Sequence, residues 1–222
     1  MEQKIAKLGE KAPLLLISDW IQGDPTDIDQ LIGKVVLIEV FQVNCPGCFL
    51  YSLPQAIKLH QKYFDKGLVV LGIATAFEDF DKNTLKNLKL LVKQNKVIGE
   101  TLRVLTRNNQ LIDQQLSFHI PFPLAMDMIT TDKKEITPNN VSLFIEQHFP
   151  DFINKNKYEK EQIQLKVLNY LQSRLSVAET FKLYNLQGTP SHIVINKKGQ
   201  LKACEFGYFS DLEWLVSTLL EE

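Results

Sequence analysis

Two apolar runs, Val35-Val36-Leu37-Ile38-Glu39-Val40-Phe41 and Leu68-Val69-Val70-Leu71-Gly72-Ile73-Ala74, bracket a helical stretch, and Cys45-Pro46-Gly47-Cys48 joins the first run to that helix. Near-continuous apolar runs of this length read as strands buried on both faces, which is the habit of parallel sheets. Parallel neighbours need a crossover, so strand, helix and strand at this spacing make a βαβ unit and an α/β fold. The junction also carries chemistry. Cysteines three apart on a helical turn sit roughly 5–6 Å apart, inside the Cα window of about 4.4–6.8 Å that a disulfide allows. The first sulfur lies among the unpaired N–H groups of a helix start, which favour an anion. A thiolate there is the attacking species in disulfide exchange.

The rest of the chain extends this frame. A short extended segment follows Gly9-Glu10-Lys11-Ala12-Pro13, and Gln22-Gly23-Asp24-Pro25 turns it. Asp27 to Ile32 suits one helical turn. Leu53, Ile57, Leu59, Tyr63 and Phe64 pattern the crossover helix, and Pro54 should kink it. A second helix starts near Asn83, with Leu85, Leu88, Leu91 and Val92 on one face, and Lys96 to Leu116 is helical in part. Pro121-Phe122-Pro123-Leu124-Ala125-Met126-Asp127 is extended, since proline keeps the preceding residue out of helix. Residues 129–177 read as a helical insertion within a single domain of residues 1–222. One helix there starts at Thr137-Pro138 and stops at Pro150, and another runs from about Tyr158 through Ile163, Val167, Leu168, Leu171 and Leu175. Sheet returns at Ser191–Ile195 and Leu201–Phe206, and Asp211 should cap a final helix bearing Leu212, Leu215, Val216, Leu219 and Leu220.

A net charge of −1 gives no hint of nucleic acid or an anionic membrane as partner. No stretch approaches the ~20 apolar residues that span a bilayer. The opening Met1-Glu2-Gln3-Lys4-Ile5-Ala6-Lys7 lacks an apolar signal core, so a cytoplasmic address is expected if Met1 is the native start, and a periplasmic one if it is not. Three cysteines do not make a secreted disulfide scaffold. A structural zinc needs about four ligands; no second Cys-x-x-Cys or His-x-x-His accompanies the first, so no metal is expected.

Gly188-Thr189-Pro190, directly before Ser191, supplies the second signal. With Cys45-Pro46-Gly47-Cys48 it resembles the thioredoxin superfamily, which sets a cis-proline loop against its Cys-x-x-Cys. The detail is similar to the TlpA/ResA-like thiol-disulfide oxidoreductases and their peroxiredoxin-like (AhpC/TSA) relatives: Gly9-Glu10-Lys11-Ala12-Pro13, Gly33-Lys34-Val35-Val36-Leu37-Ile38, Pro121-Phe122-Pro123 with Asp127, Lys198-Gly199 and Phe206-Gly207-Tyr208. These cover roughly residues 9–80, 118–128 and 179–220. The resemblance implies a thioredoxin-like fold, with a central mixed sheet flanked by helices and the helical insertion placed before the cis-proline loop.

It also implies roles. Cys45 would be the exposed nucleophile and Cys48 the shielded resolving thiol. Pro46 suits a helix start, where its missing N–H costs little, and Gly47 leaves the sulfur pair open to a bulky partner. Glu39, six residues before Cys45, stands where thioredoxins bury an acid that relays a proton to the second cysteine. Pro190 would be cis, freeing the Thr189 backbone to pair with an extended substrate. His192 would lie on the strand beside Glu39, either as a satisfied core histidine or as a group that sets the acid's protonation. His60, His119 and His148 read as surface or loop residues, and Cys204 as a small buried apolar filler. Asn44 stands where thioredoxins carry tryptophan, and Val69–Ala74 lacks the lysine they place near the acid, which points to a narrower set of partners.

The leading expectation is therefore a thiol-disulfide oxidoreductase with no cofactor beyond its Cys45–Cys48 disulfide. It would act on a protein or small-molecule disulfide, with an upstream dithiol donor. An antioxidant thiol peroxidase is the alternative, although residues 38–45 lack the proline and hydroxyl of that site and the nearest arginine is Arg103. A binding module with idle cysteines is the other. The insertion could be a lid, a dimer contact or packed scaffold.

Overall fold

In the computed structural model, which describes residues 4–131, 135–173 and 175–222, the strand Val35–Phe41 is buried along its whole length. The opening Met1-Glu2-Gln3 lies outside the described residues. Alternation along a strand sends successive side chains to opposite faces. Val35, Leu37 and Phe41 enter one core, and Val36, Ile38 and Val40 enter another on the far side of the sheet. Each such fully buried aliphatic side chain contributes about 1.5–3 kcal/mol.

The elements in chain order are β1 (Ile17–Gln22), β2 (Val35–Phe41), α1 (Leu53–Tyr63), β3 (Leu68–Ala74), α2 (Leu85–Gln94), α3 (Gly99–Arg107), β4 (Leu111–Ile112), β5 (Gln115–Leu116), β6 (Leu124–Asp127) and β7 (Ile129–Thr131). There follow α4 (Pro138–His148), α5 (Lys157–Ser173), β8 (Ser176–Ala178), α6 (Glu179–Leu183), β9 (Ser191–Ile195), β10 (Leu201–Phe206) and α7 (Leu212–Glu221). A six-stranded sheet has the order β1-β6-β3-β2-β9-β10. β2, β3 and β6 are parallel; β1, β9 and β10 run antiparallel to their neighbours. This is a mixed sheet with the βαβ unit at its centre. Residues of α1, α2, α3 and α7 cover one face, and the N-terminal segment with α6 and the residues just after it covers the other.

Several local expectations are corrected by the structure. Pro54 lies in the first turn of α1 and follows a wide turn, Cys48–Ser52, in which the Leu53 N–H reaches back five residues to the Cys48 carbonyl, so the irregularity falls before α1 rather than within it. Proline at position 54 can neither donate to nor tolerate a carbonyl four residues back, and a widened turn relieves both. Asp211 precedes α7 but makes no side-chain cap, because its backbone (φ −89°, ψ 6°) lacks the extended conformation of a capping residue. His60 is not a surface residue: its half-buried ring packs edge-on to Phe122, 5.9 Å between centroids, and burial lowers its pKa. Between Lys96 and Leu116 only α3 is helical. Asp113 and Gln114, both at positive φ, make the two-residue turn of the β4–β5 hairpin.

The chain divides into two compact units, residues 1–129 with 178–222, and residues 130–177. The second is small. Its α4 carries a capping box from Thr137 and Asn140, and the buried core between its helices is Val141, Ile145 and Val167.

Candidate active site

The chain leaves β2 at Phe41, turns so that the Cys45 N–H meets the Gln42 carbonyl at 3.2 Å, and becomes helical at Pro46. Cys45 and Cys48 are joined as a disulfide, with Cα atoms 5.4 Å apart. The two sulfurs have different surroundings. Cys48 is fully buried against Phe49 and Leu53, whereas Cys45 is half-buried. The Cys48 N–H points at Cys45 Sγ (3.2 Å), and the Thr189 carbonyl lies 3.6 Å from the same sulfur. A backbone donor aimed at Cys45 stabilises its thiolate.

The Thr189–Pro190 peptide bond is cis. Ser191 Oγ donates to the Gly188 carbonyl (2.8 Å) and the Gly207 N–H to the Pro190 carbonyl (2.9 Å), so this loop is held on both sides of the proline. Pro190 Cδ would lie 3.9 Å from a Cβ at Gly47, which brings the loop directly against the Cys-x-x-Cys turn.

Glu39 and His192 face each other across β2 and β9, and both are completely buried. Glu39 shares its face of the sheet with Leu37 and Phe41, and His192 shares its face with Val194. Leu37, Phe41 and Val194 belong to the core that also contains Cys48, so Glu39 and His192 face that side of the sheet. Gly72 stands opposite Glu39 on β3, and the Leu124 and Phe122 side chains pack into the space that a Cβ there would need. His192 Nδ1 is 2.8 Å from Glu39 Oε2, an ion-pair contact that is not aligned as a hydrogen bond, and among the described residues Glu39 Oε1 has no hydrogen-bond partner. His192 Nε2 lies 3.0 Å from the Gly207 carbonyl, which can only accept, so that nitrogen carries a proton. Burial pulls the His192 pKa down, but the Glu39 carboxylate and the Gly207 carbonyl outweigh it and leave it raised. The ring is thus a core histidine hydrogen-bonded through Nε2 alone, with Nδ1 held against the acid at ion-pair distance.

Two residues near the disulfide escaped the sequence reading. Gln42 is buried; its amide donates to the Glu78 carbonyl (3.1 Å) and accepts the Thr189 hydroxyl (3.0 Å). Asn83 also donates to the Glu78 carbonyl, and its Oδ1 accepts the Asn44 N–H (2.9 Å). A polar residue at a strand end carries no sequence signal of such distant partners. Asn44 takes no platform role: its Oδ1 caps α3 through the Glu100 N–H (2.7 Å), and its amide donates to Asp79. Gly99, at φ +56°, is needed there because a Cβ would collide with the Asn44 side chain.

Cys204 is half-buried and unpaired, with Sγ 3.5 Å from the Tyr184 carbonyl; burial pushes its pKa up to about 11. Among the described residues no cluster of His, Cys, Asp or Glu could hold a metal, and no helix is long and apolar enough to cross a membrane.

No family model matches the chain. It is 37% identical over 125 residues to FixW of Rhizobium leguminosarum, covering 54% of this chain and 56% of that protein. DipZ of Mycobacterium bovis matches at 33% over 89 residues, covering 37% of this chain and 13% of DipZ. The chain thus spans about half of one curated relative and a small part of the other. Two solved structures match almost end to end. One is the thioredoxin-like superfamily protein SPOA0173, at 25% identity and TM-score 0.58, with 96% of this chain and 97% of that one covered. The other is a thiol-disulfide isomerase from Corynebacterium glutamicum, at 26% identity and TM-score 0.58, with coverages of 98% and 97%. With its mixed sheet and its cysteine pair at the β2–α1 junction, the chain has a thioredoxin-like fold and is similar to a thiol-disulfide isomerase of that fold.

Proposed function

We propose that the protein exchanges disulfides with an extended peptide or small-molecule substrate through Cys45. The observation that carries this reading is the asymmetry of the pair: a half-buried Cys45 sulfur with a backbone donor, bonded to a fully buried Cys48. In the reduced protein the Cys45 thiolate attacks one substrate sulfur, forming a mixed disulfide and expelling the other as a thiolate that takes up a proton. Cys48 then gives its proton to the Glu39 carboxylate and attacks Cys45 Sγ. The second substrate thiolate leaves, and the Cys45–Cys48 bond re-forms. A dithiol donor returns the two electrons. Direction follows the compartment's redox poise; a cytoplasmic address would make the protein a reductase.

Thr189 supplies the docking edge in this reading. Its N–H has no protein partner among the described residues and its carbonyl meets only the Cys45 sulfur, so an added strand could use both. Pro46 and Gly47 present a low surface beside the disulfide. A peroxidase reading is weaker, because Arg103 is already paired with Glu100.

Cys45→Ser should abolish exchange, and Cys48→Ser should leave substrate trapped on Cys45 as a mixed disulfide visible by mass. Exchange that survives Cys45→Ser would end the proposal. A second reading, a docking module with idle cysteines, draws on the exposed Leu143, Ile153 and Leu165 of the helical unit. It would gain if the Cys45→Ala, Cys48→Ala double variant captured a partner as well as the unmodified protein does.

A further inference from the structure

We infer that Gln42 is a positioning residue for peptide substrates, acting through Thr189 rather than on the sulfur. The inference rests on the exchange reading above and adds a specificity element to it. Gln42 is only 2% exposed and lies one residue beyond β2, so its backbone and side chain serve different loops. Its carbonyl closes the turn onto the Cys45 N–H (3.2 Å). Its side-chain oxygen accepts the Thr189 hydroxyl (3.0 Å), and its amide is anchored on the Glu78 carbonyl (3.1 Å). The anchor is shared, since Asn83 Nδ2 donates to the same carbonyl (2.9 Å) and Asn83 Oδ1 holds the Asn44 N–H (2.9 Å).

Two amide side chains, those of Gln42 and Asn83, therefore brace the residues before Cys45, and Gln42 ties them to the loop that presents Thr189 and Pro190. The Thr189 hydroxyl is turned inward to Gln42, which leaves that residue's N–H and carbonyl as its free edge. A buried amide whose donor and acceptor are both satisfied fixes orientation, because rotating it breaks two bonds that water cannot replace. A substrate that docks as a strand needs this orientation. A small disulfide that meets only the sulfur does not.

The test compares an extended synthetic peptide bearing a disulfide with bis(2-hydroxyethyl) disulfide, both reduced by the dithiol form of the full chain. Gln42→Leu and Thr189→Val should each raise KM for the peptide about tenfold, the worth of one lost buried hydrogen bond. Both should lower kcat/KM for the small disulfide by a much smaller factor. The double variant should be no worse than the poorer single one, because the two residues act as one unit. Losses that multiply, or that fall equally on both substrates, would overturn the clamp. Should Gln42→Leu not fold, Thr189→Ser decides: it keeps the hydroxyl and should keep the peptide KM, and impairment equal to Thr189→Val refutes the idea. If the unmodified protein exchanges neither disulfide, the exchange reading falls and the clamp with it. Exchange by the unmodified protein with proportional losses in the variants removes the clamp alone.

Discussion

Glu39 and Asp127 are both carboxylates on strands of the central sheet, and neither has any exposure to solvent. Their surroundings are opposite. Asp127 receives the Thr75 hydroxyl (2.7 Å) and the N–H groups of Thr180 (2.8 Å) and Phe181 (3.2 Å), so it caps α6 from a distance. Burial raises its pKa and these donors pull it partway back. Glu39 has one polar contact, itself titratable, and among the described residues its other oxygen has no hydrogen-bond partner. A saturated acid is mortar; an acid left short of donors beside a proton-carrying ring asks for another explanation, which the proton relay proposed above supplies.

The sharpest way to break this contrast is to neutralise each acid and read activity and stability separately. Glu39→Gln should slow disulfide exchange about 10²-fold, the low end of proton-transfer catalysis, while stability in alkaline solution changes little and falls in mildly acidic solution, where the protonated His192 loses its carboxylate. An unaltered rate and pH profile would return Glu39 to a structural role. Asp127→Ala should do the reverse, costing about 2–3 kcal/mol by stranding the donors it satisfies, with exchange by the folded fraction intact. Equilibrium denaturation measures it, and a loss below about 0.5 kcal/mol would contradict the capping role.

The third comparison is between the acids' partners across pH. The folded-state pKa of His192 is raised, so its stabilisation is complete below the ordinary histidine value of about 6.5 and is lost as pH rises through the higher folded value. The charged groups facing the ring are Glu39, and Glu205 opposite it on β10. His192→Gln should therefore destabilise the protein most in mildly acidic solution, with the deficit shrinking as the solution turns alkaline; a deficit that grows with pH would reverse the assignment. The smallest effect is expected at Cys204. Its thiol, raised to about 11, is almost wholly protonated at neutral pH, so Cys204→Ala should cost about 1 kcal/mol or less and leave exchange rates unchanged.

The sheet's centre was readable because its information is local. The β2 and β3 runs, the cysteine pair and the Thr189-Pro190 step each announce themselves within a few residues. Glu39 was conspicuous as a charge inside an apolar strand, and His192 followed once its strand was placed beside β2. Gln42 was not readable, since its meaning lies in a hydroxyl 147 residues away and a carbonyl 36 residues away. Asn44 was noticed only for the tryptophan it replaces, whereas its work is to cap a helix. The helices of residues 130–177 could be drawn from their periodicity and caps. What they do could not, because three buried side chains fix a hairpin and say little about its use.

Gly207 joins the two halves of the site. Its N–H holds the Pro190 carbonyl and its carbonyl holds His192 Nε2, so one residue anchors both the proline loop and the buried imidazole. Its φ of +83° admits glycine readily and other residues poorly, yet a Cβ there would meet nothing within 4 Å. Handedness alone, not space, reserves the position. A residue with a side chain at position 207 would therefore disturb the proline loop and the imidazole together.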